Sequence, residues 1–175
     1  QRQMCIRDRG FWNSVRILVP SVVISIIVAS VSGYAMANWK FKGSELFFSI
    51  LIIGAFIPYQ VMIYPIVIVL RELGIYGTLS GLVIVHTIFG MPILTLLFRN
   101  YFASLPEELF KAARIDGANF WQIYFRIMLP MSLPIFVVAM ILQVTGIWND
   151  FLFGVVFTRP EYYPMTVQLL SLIHI

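Results

Sequence analysis

The chain is short of charge. Only 11% of its 175 residues are Asp, Glu, Lys or Arg, and 60% are hydrophobic. A soluble domain carries roughly a quarter charged residues, so this few cannot cover a surface that faces water. Cysteine is nearly absent. Cys5 stands alone, which excludes an intrachain disulfide and leaves the redox compartment unread. Histidine occurs only at 86 and 174 with no second cysteine to join, so no metal site is expected. There is no G-x-x-x-x-G-K-[ST] phosphate loop, so the chain itself is expected not to hydrolyse ATP. There is no H-E-x-x-H, and no nucleophile–base pair or pair of acids inside an apolar stretch, so no catalytic residue is assigned. The net charge of +4 is spread singly at the edges of apolar runs, without the basic stripe that nucleic-acid binding needs. Sustained period-two alternation is also missing, which excludes a β-barrel.

What is there is a series of long apolar runs. A bilayer core needs about 20 apolar residues of helix. Residues 17–37, 46–70, 75–98 and 128–148 each reach that length without a charge, and a shorter apolar stretch, 151–157, follows. Four such runs in one short chain imply an all-α, polytopic membrane helix bundle in contact with lipid. Pro20, Pro58, Pro65, Pro92 and Pro134 fall inside or at the ends of these runs, as kinks in a packed bundle or as hinges along a pathway. Spans alternate in direction, so 38–45 and 99–127 share a side. They carry Lys40, Lys42, Arg99, Lys111, Arg114 and Arg126, against Arg71 and Arg159 on the other side. The positive-inside rule places the first group in the cytoplasm. Arg2, Arg7, Arg9 and Arg16 at the chain start oppose that bias.

The stretch 99–127 is patterned beyond the needs of a linker. Ser104 and Glu107 have the spacing of a capping box. Leu105, Leu109, Ala112 and Ala113 then fall on one face of a short helix, with Glu107, Glu108, Lys111 and Arg114 on the other. Gly117 is placed to stop it. Asn119 and Gln122 have the spacing of a second capping box, and Pro130 marks the return to the membrane. A helix, a glycine turn and a helix on the cytoplasmic face follow. Their small apolar edge suits a groove in another protein, or alternatively the lipid surface.

Here the residues resemble a known family. Pro106-Glu-Glu-Leu-Phe-Lys-Ala-Ala-Arg-Ile-Asp-Gly-Ala118, followed by Tyr124-Phe-Arg-Ile-Met-Leu-Pro130, resembles the EAA loop of binding-protein-dependent ABC transporter permeases. Asn13-Ser14, Gly33-Tyr34-Ala35, Ile57-Pro58, Tyr64-Pro65 and Trp148-Asn149-Asp150-Phe151 resemble the carbohydrate-uptake branch, with the smaller permease of the maltose-type importer nearest. Two positions depart from the pattern: Lys111 stands where a glutamate is usual, and Tyr124 where a phenylalanine is usual.

The resemblance implies a bundle of the ABC importer permease type, with four spans of an expected six, in the cytoplasmic membrane of a bacterium or archaeon. It implies a transmembrane domain over 10–170, and non-native ends at 1–9 and 171–175, which look like translated sequencing-adaptor fragments. It implies partners: a dimer of ATP-binding subunits, a second and different permease chain, and an extracytoplasmic solute-binding protein. No cofactor would be bound by this chain, with ATP and Mg on the partner ATPase. Glu108, Leu109, Lys111, Ala112, Ala113, Asp116, Gly117 and Ala118 would couple to that ATPase. Gln60, Tyr64, Gln143, Trp148 and Asn149 would line a sugar path, or else serve as interhelical and interfacial anchors. Asp150 would cap a helix or meet the binding protein. The alternative is a carrier driven by an ion gradient. Such a carrier wants a charged group within a span, and only His86 is offered, with no acid inside a span beside it.

Overall fold

The computed structural model describes residues 2–39 and 41–173, with side chains over 8–39 and 41–171. Lys40, His174 and most side chains of the stretches 1–9 and 171–175 therefore lie outside the described residues. The chain is all helical apart from one isolated bridge between Gly77 and Thr158, among the described residues. In chain order the helices are α1 (Arg2–Tyr34), α2 (Ser44–Phe56), α3 (Tyr59–Glu72), α4 (Leu79–Ser104), α5 (Glu107–Ile115), α6 (Phe120–Ile123), α7 (Leu129–Met131), α8 (Leu133–Asn149), α9 (Leu152–Phe157) and α10 (Met165–Ile173). One π turn, Ala35–Trp39, extends α1, and another, Tyr124–Met128, joins α6 to α7.

Among the described residues two helices are long and apolar enough to cross a bilayer unbroken, over Asp8–Trp39 and Leu79–Ser104. The other two expected spans are bent. Residues 46–70 divide into α2 and α3, which meet at 102° beside Pro58. Proline lacks the N–H that would continue a helix and holds the residue before it away from helical angles. The run 128–148 bends by 77° where α7 gives way to α8, with Pro130 and Pro134 on either side of the break. The third span begins at Leu79 rather than 75 and runs to Ser104.

The side chains are distributed as lipid demands. On α1 the buried positions include Ser21, Ser25 and Ser30, while Val19, Val23 and Ile27 are exposed. On α8 the exposed positions include Val137, Ile141 and Leu142. Large apolar groups outside and small polar groups inside invert the pattern of a soluble bundle and fit helices packed in hydrocarbon. Ser21 donates its hydroxyl to the carbonyl of Ile17 at 2.7 Å, so burial leaves it partnered.

Two compact units divide the chain. The first comprises Gln1–Ile24, Ile57–Phe89 and Leu142–Ile175, and the second Ser25–Phe56 and Gly90–Ile141. Within the first, Asn13 donates to the carbonyls of Glu161 and Tyr163, and Ser14 accepts from the N–H of Met165. These bonds tie the start of α10 and the turn before it to α1. Within the second, Gly33 lets α1 run against α4: a Cβ there would lie 2.7 Å from Phe98 Cβ and 2.8 Å from the Arg99 nitrogen. Arg99 Nη2 donates to both carboxylate oxygens of Glu45, at 2.8 and 3.0 Å, and the guanidinium lies over the Phe48 ring, which links α2 to α4.

Candidate coupling loop and translocation residues

The second unit holds the helix–turn–helix. Pro106 stands at the N-cap of α5 with no side-chain cap. The expected box from Ser104 does not form. That residue is still in the last turn of α4, and its hydroxyl donates to the carbonyl of Tyr101 at 2.7 Å. The stop is as expected. Gly117 has φ +77, its N–H donates to the Arg114 carbonyl, and the Ala118 N–H reaches the Ala113 carbonyl. This pair of bonds is the Schellman closure, which needs the left-handed conformation glycine tolerates. The second capping box is complete: Gln122 N–H donates to Asn119 Oδ1 at 2.9 Å, and Asn119 N–H to Gln122 Oε1 at 2.8 Å.

The faces of α5 differ from the pattern read in the sequence. Phe110 and Ala113 are the buried residues, three apart on one stripe. Leu109, Ala112 and Ile115 form the exposed apolar edge, with Ile115 at 85% exposure. Ala113 therefore faces inward, and Ile115 takes the outer place expected for it. Glu108, Lys111, Asp116 and Gly117 are exposed and Ala118 is half-buried. A cavity of about 770 Å³ opens between α5, Asn38 and Glu45, so the hold on α5 is concentrated at its Phe110 stripe.

That stripe meets an aromatic cluster. Phe110 packs edge-on to Trp39 at 5.7 Å, and the Arg114 guanidinium lies 5.0 Å over the same indole. Trp39 and Tyr34 both pack on Phe120, at 5.3 and 4.8 Å. The Tyr34 hydroxyl donates to the Phe120 carbonyl at 3.3 Å. Tyr124 is buried against Tyr34, and its hydroxyl lies 2.7 Å from Ser30 Oγ. The end of α1 thus grips both helices of the loop. The sequence reading missed Tyr34, Trp39, Phe110 and Phe120. The available signal was the spacing of Phe110 and Ala113, together with the concentration of rings on either side of the loop.

Both departures from the motif acquire a local account. Lys111 Nζ pairs with Glu107 at 3.1 Å, one helical turn away and exposed. A glutamate four residues before a lysine is the favourable order on a helix. Tyr124 carries a hydroxyl where phenylalanine would have none, and Ser30 satisfies it.

The translocation candidates lie in the first unit. Gln60 and Tyr64 are exposed on α3, with Tyr64 at 74%. Gln143 is buried and donates to the His86 backbone carbonyl at 3.4 Å, which is interhelical anchoring. Trp148 packs edge-on to Phe11, and its carbonyl accepts from Thr166. Asn149 turns back onto the Thr145 carbonyl at 2.9 Å. Asp150 accepts from the N–H groups of Phe153 and Gly154, which makes it a helix cap. Among the described residues no cluster of three or more His, Cys, Asp or Glu could hold a metal.

A comparison with known proteins decides the family. Residues 21–171 match the family described as binding-protein-dependent transport system inner membrane component. The chain belongs to that family. A probable ABC transporter permease protein of Pyrococcus horikoshii is 45% identical over 143 residues, 81% of this chain and 52% of the relative. The xylose/arabinose import permease of Haloferax volcanii is 36% identical and spans 83% of this chain and 53% of the relative. The chain thus covers about half the length of these relatives. Its fold is similar to a solved bacterial ABC transporter involved in importing the acidic polysaccharide alginate. The TM-score is 0.82 at 25% identity, over 95% of this chain and 58% of that one. The helices, the family and this likeness make the chain an integral membrane protein of the ABC permease type.

Proposed function

We propose that this chain belongs to a transmembrane permease subunit of an ATP-driven importer for a sugar or sugar-like solute. The observation that carries the reading is α5 itself: Leu109, Ala112, Ile115 and Gly117 are exposed, while Phe110 packs on Trp39 at the end of α1 and Ala113 is buried on the same stripe. An exposed apolar edge on a helix anchored through its opposite face is what a groove in a partner receives. The partner is a dimer of ATP-binding subunits, which carry the ATP and Mg, and this chain binds no cofactor of its own. Closure of the ATPase pair on ATP would push α5, and the cluster would pass the push to α1. ATP and solute would then bias one two-state assembly. A second, different permease completes the path, a solute-binding protein delivers from outside, and the site is the cytoplasmic membrane of a prokaryote. Glu108 and Asp116 border the docking edge, and Lys111 is held on its own helix by Glu107.

The sugar class is supported by relatives named for sugars: the Haloferax volcanii protein for xylose and arabinose, and a Rhizobium meliloti permease for alpha-glucosides. Of the residues expected on the path, Gln60, Tyr64, Trp148 and Asn149 keep exposed surface that solute could meet. The test is uptake by proteoliposomes holding the full-length permease, its partner permease, the ATPase and the binding protein. Uptake of a labelled sugar that needs internal ATP and survives an ionophore supports the reading. Uptake that ignores ATP and collapses with the ionophore contradicts it.

A further inference from the structure

Two turns of the first unit bring two guanidinium groups to one open cavity. It measures about 400 Å³ and is lined by Arg71, Gly74, Tyr76 and Arg159. Arg71 sits in the last turn of α3, with its guanidinium carbon 4.8 Å over the Tyr76 ring. Tyr76 is fixed in turn, because its hydroxyl donates to the Val156 carbonyl at 3.0 Å. Arg159 crosses the backbone at Gly77, where a Cβ would lie 2.8 Å from its Nε. Gly77 is held by its N–H on the Phe157 carbonyl at 3.2 Å. Backbone and ring contacts therefore aim both arginines at the same opening.

Both side chains are exposed, and among the described residues neither has a carboxylate within ion-pair distance. Glu72 and Glu161 stand close by in sequence and pair with neither. Two arginines lining one cavity without a counter-charge offer a receptor for an anion, and the planar fork matches a carboxylate best. Arg71 already covers one face of Tyr76, which leaves that ring poorly placed to stack on a sugar. Three of the four lining residues, Gly74, Tyr76 and Arg159, lie in turns outside the helices, and Arg71 is at the very end of α3, which favours a protein carboxylate over a lipid phosphate.

We propose that Arg71 and Arg159 form a notch that receives an acidic side chain of the solute-binding protein. This rests on the importer reading, in which the turns after α3 and α9 face the outside. A charge at the rim of a transient interface acts mainly on association and its salt dependence.

The test uses the full-length transporter in nanodiscs of phosphatidylcholine, with and without phosphatidylglycerol. The probe is the labelled solute-binding protein encoded with it. Association with the wild type should slow as salt rises. At low salt the double variant R71Q/R159Q should associate about tenfold more slowly, with a flatter salt dependence and little change in dissociation. R71K/R159K should restore most of the rate. Equal rates and salt slopes for wild type and the Gln variant would overturn the notch. So would a defect seen only with phosphatidylglycerol, which would assign the arginines to lipid. A salt-independent wild type overturns it without any variant. If the wild type captures no binding protein under any condition, the importer reading fails as well.

Discussion

His86 Nε2 lies 3.7 Å from Asp150 Oδ2, joining the first third of α4 to the residue that caps α9. Asp150 accepts from two backbone N–H groups, and burial pushes its carboxyl above the ordinary value of 3.8, opposed by those same bonds. Replacing it with alanine should cost roughly 0.5–2 kcal/mol, the usual worth of such a cap. Asparagine keeps one acceptor and should cost less.

The pH dependence has a definite sign. A carboxyl whose folded pKa is raised contributes stability that is complete below 3.8 and is lost as pH rises through the folded value. The Tm of the wild type should therefore fall relative to Asp150→Asn as pH rises from below 3.8. A difference that stays flat with pH would count against the burial account.

Ser30 and Tyr124 make a second testable pair. Their hydroxyls are buried and 2.7 Å apart. Either Ser30→Ala or Tyr124→Phe should cost about 1–3 kcal/mol if it strands a buried partner, and the double variant should cost less than the sum. Additive costs in thermal unfolding would mean that the bond contributes nothing of its own.

Gly33 separates packing from conformation. Its absent side chain is replaced by Phe98 and Arg99 of α4. Gly33→Leu should lower Tm by several degrees and loosen the hold of α1 on α4, read as faster proteolysis of the loop. A variant with unchanged Tm and cleavage would show that α1 can shift at no cost.

Gly117 has φ +77 and open space where a side chain would go, so the penalty of replacing it is conformational alone. Gly117→Ala should cost about 1–2 kcal/mol. Gly117→Val should cost more and reduce ATP-driven uptake further, since branching at Cβ resists the left-handed region. Normal uptake by the valine variant would count against a coupling role for the turn.

Much of this was legible in the sequence. The all-helical membrane class followed from length and hydropathy, and the Gly117 stop and the Asn119–Gln122 box from local chemistry that tertiary contacts do not override. The bends were not legible from composition, because a kinked span and a straight one have the same residues. Pro58 marked one break without giving its angle. The face of α5 was misread because Ala112 and Ala113 are adjacent and equally apolar. Only Phe110, three residues before Ala113, shows which of them turns inward. The approach of Asp150 to His86 joins positions 64 residues apart, which no local pattern reports.

The most direct test of the central claim is retention of the ATPase by the purified full-length permease pair. Leu109→Asp with Ile115→Asp changes only exposed positions of α5, so the fold should stand while the docking edge is lost. The account predicts that the wild type co-purifies with the ATPase and this variant does not, at equal yield and Tm. If the variant keeps the ATPase as well as the wild type does, α5 is not the contact and the coupling mechanism is wrong.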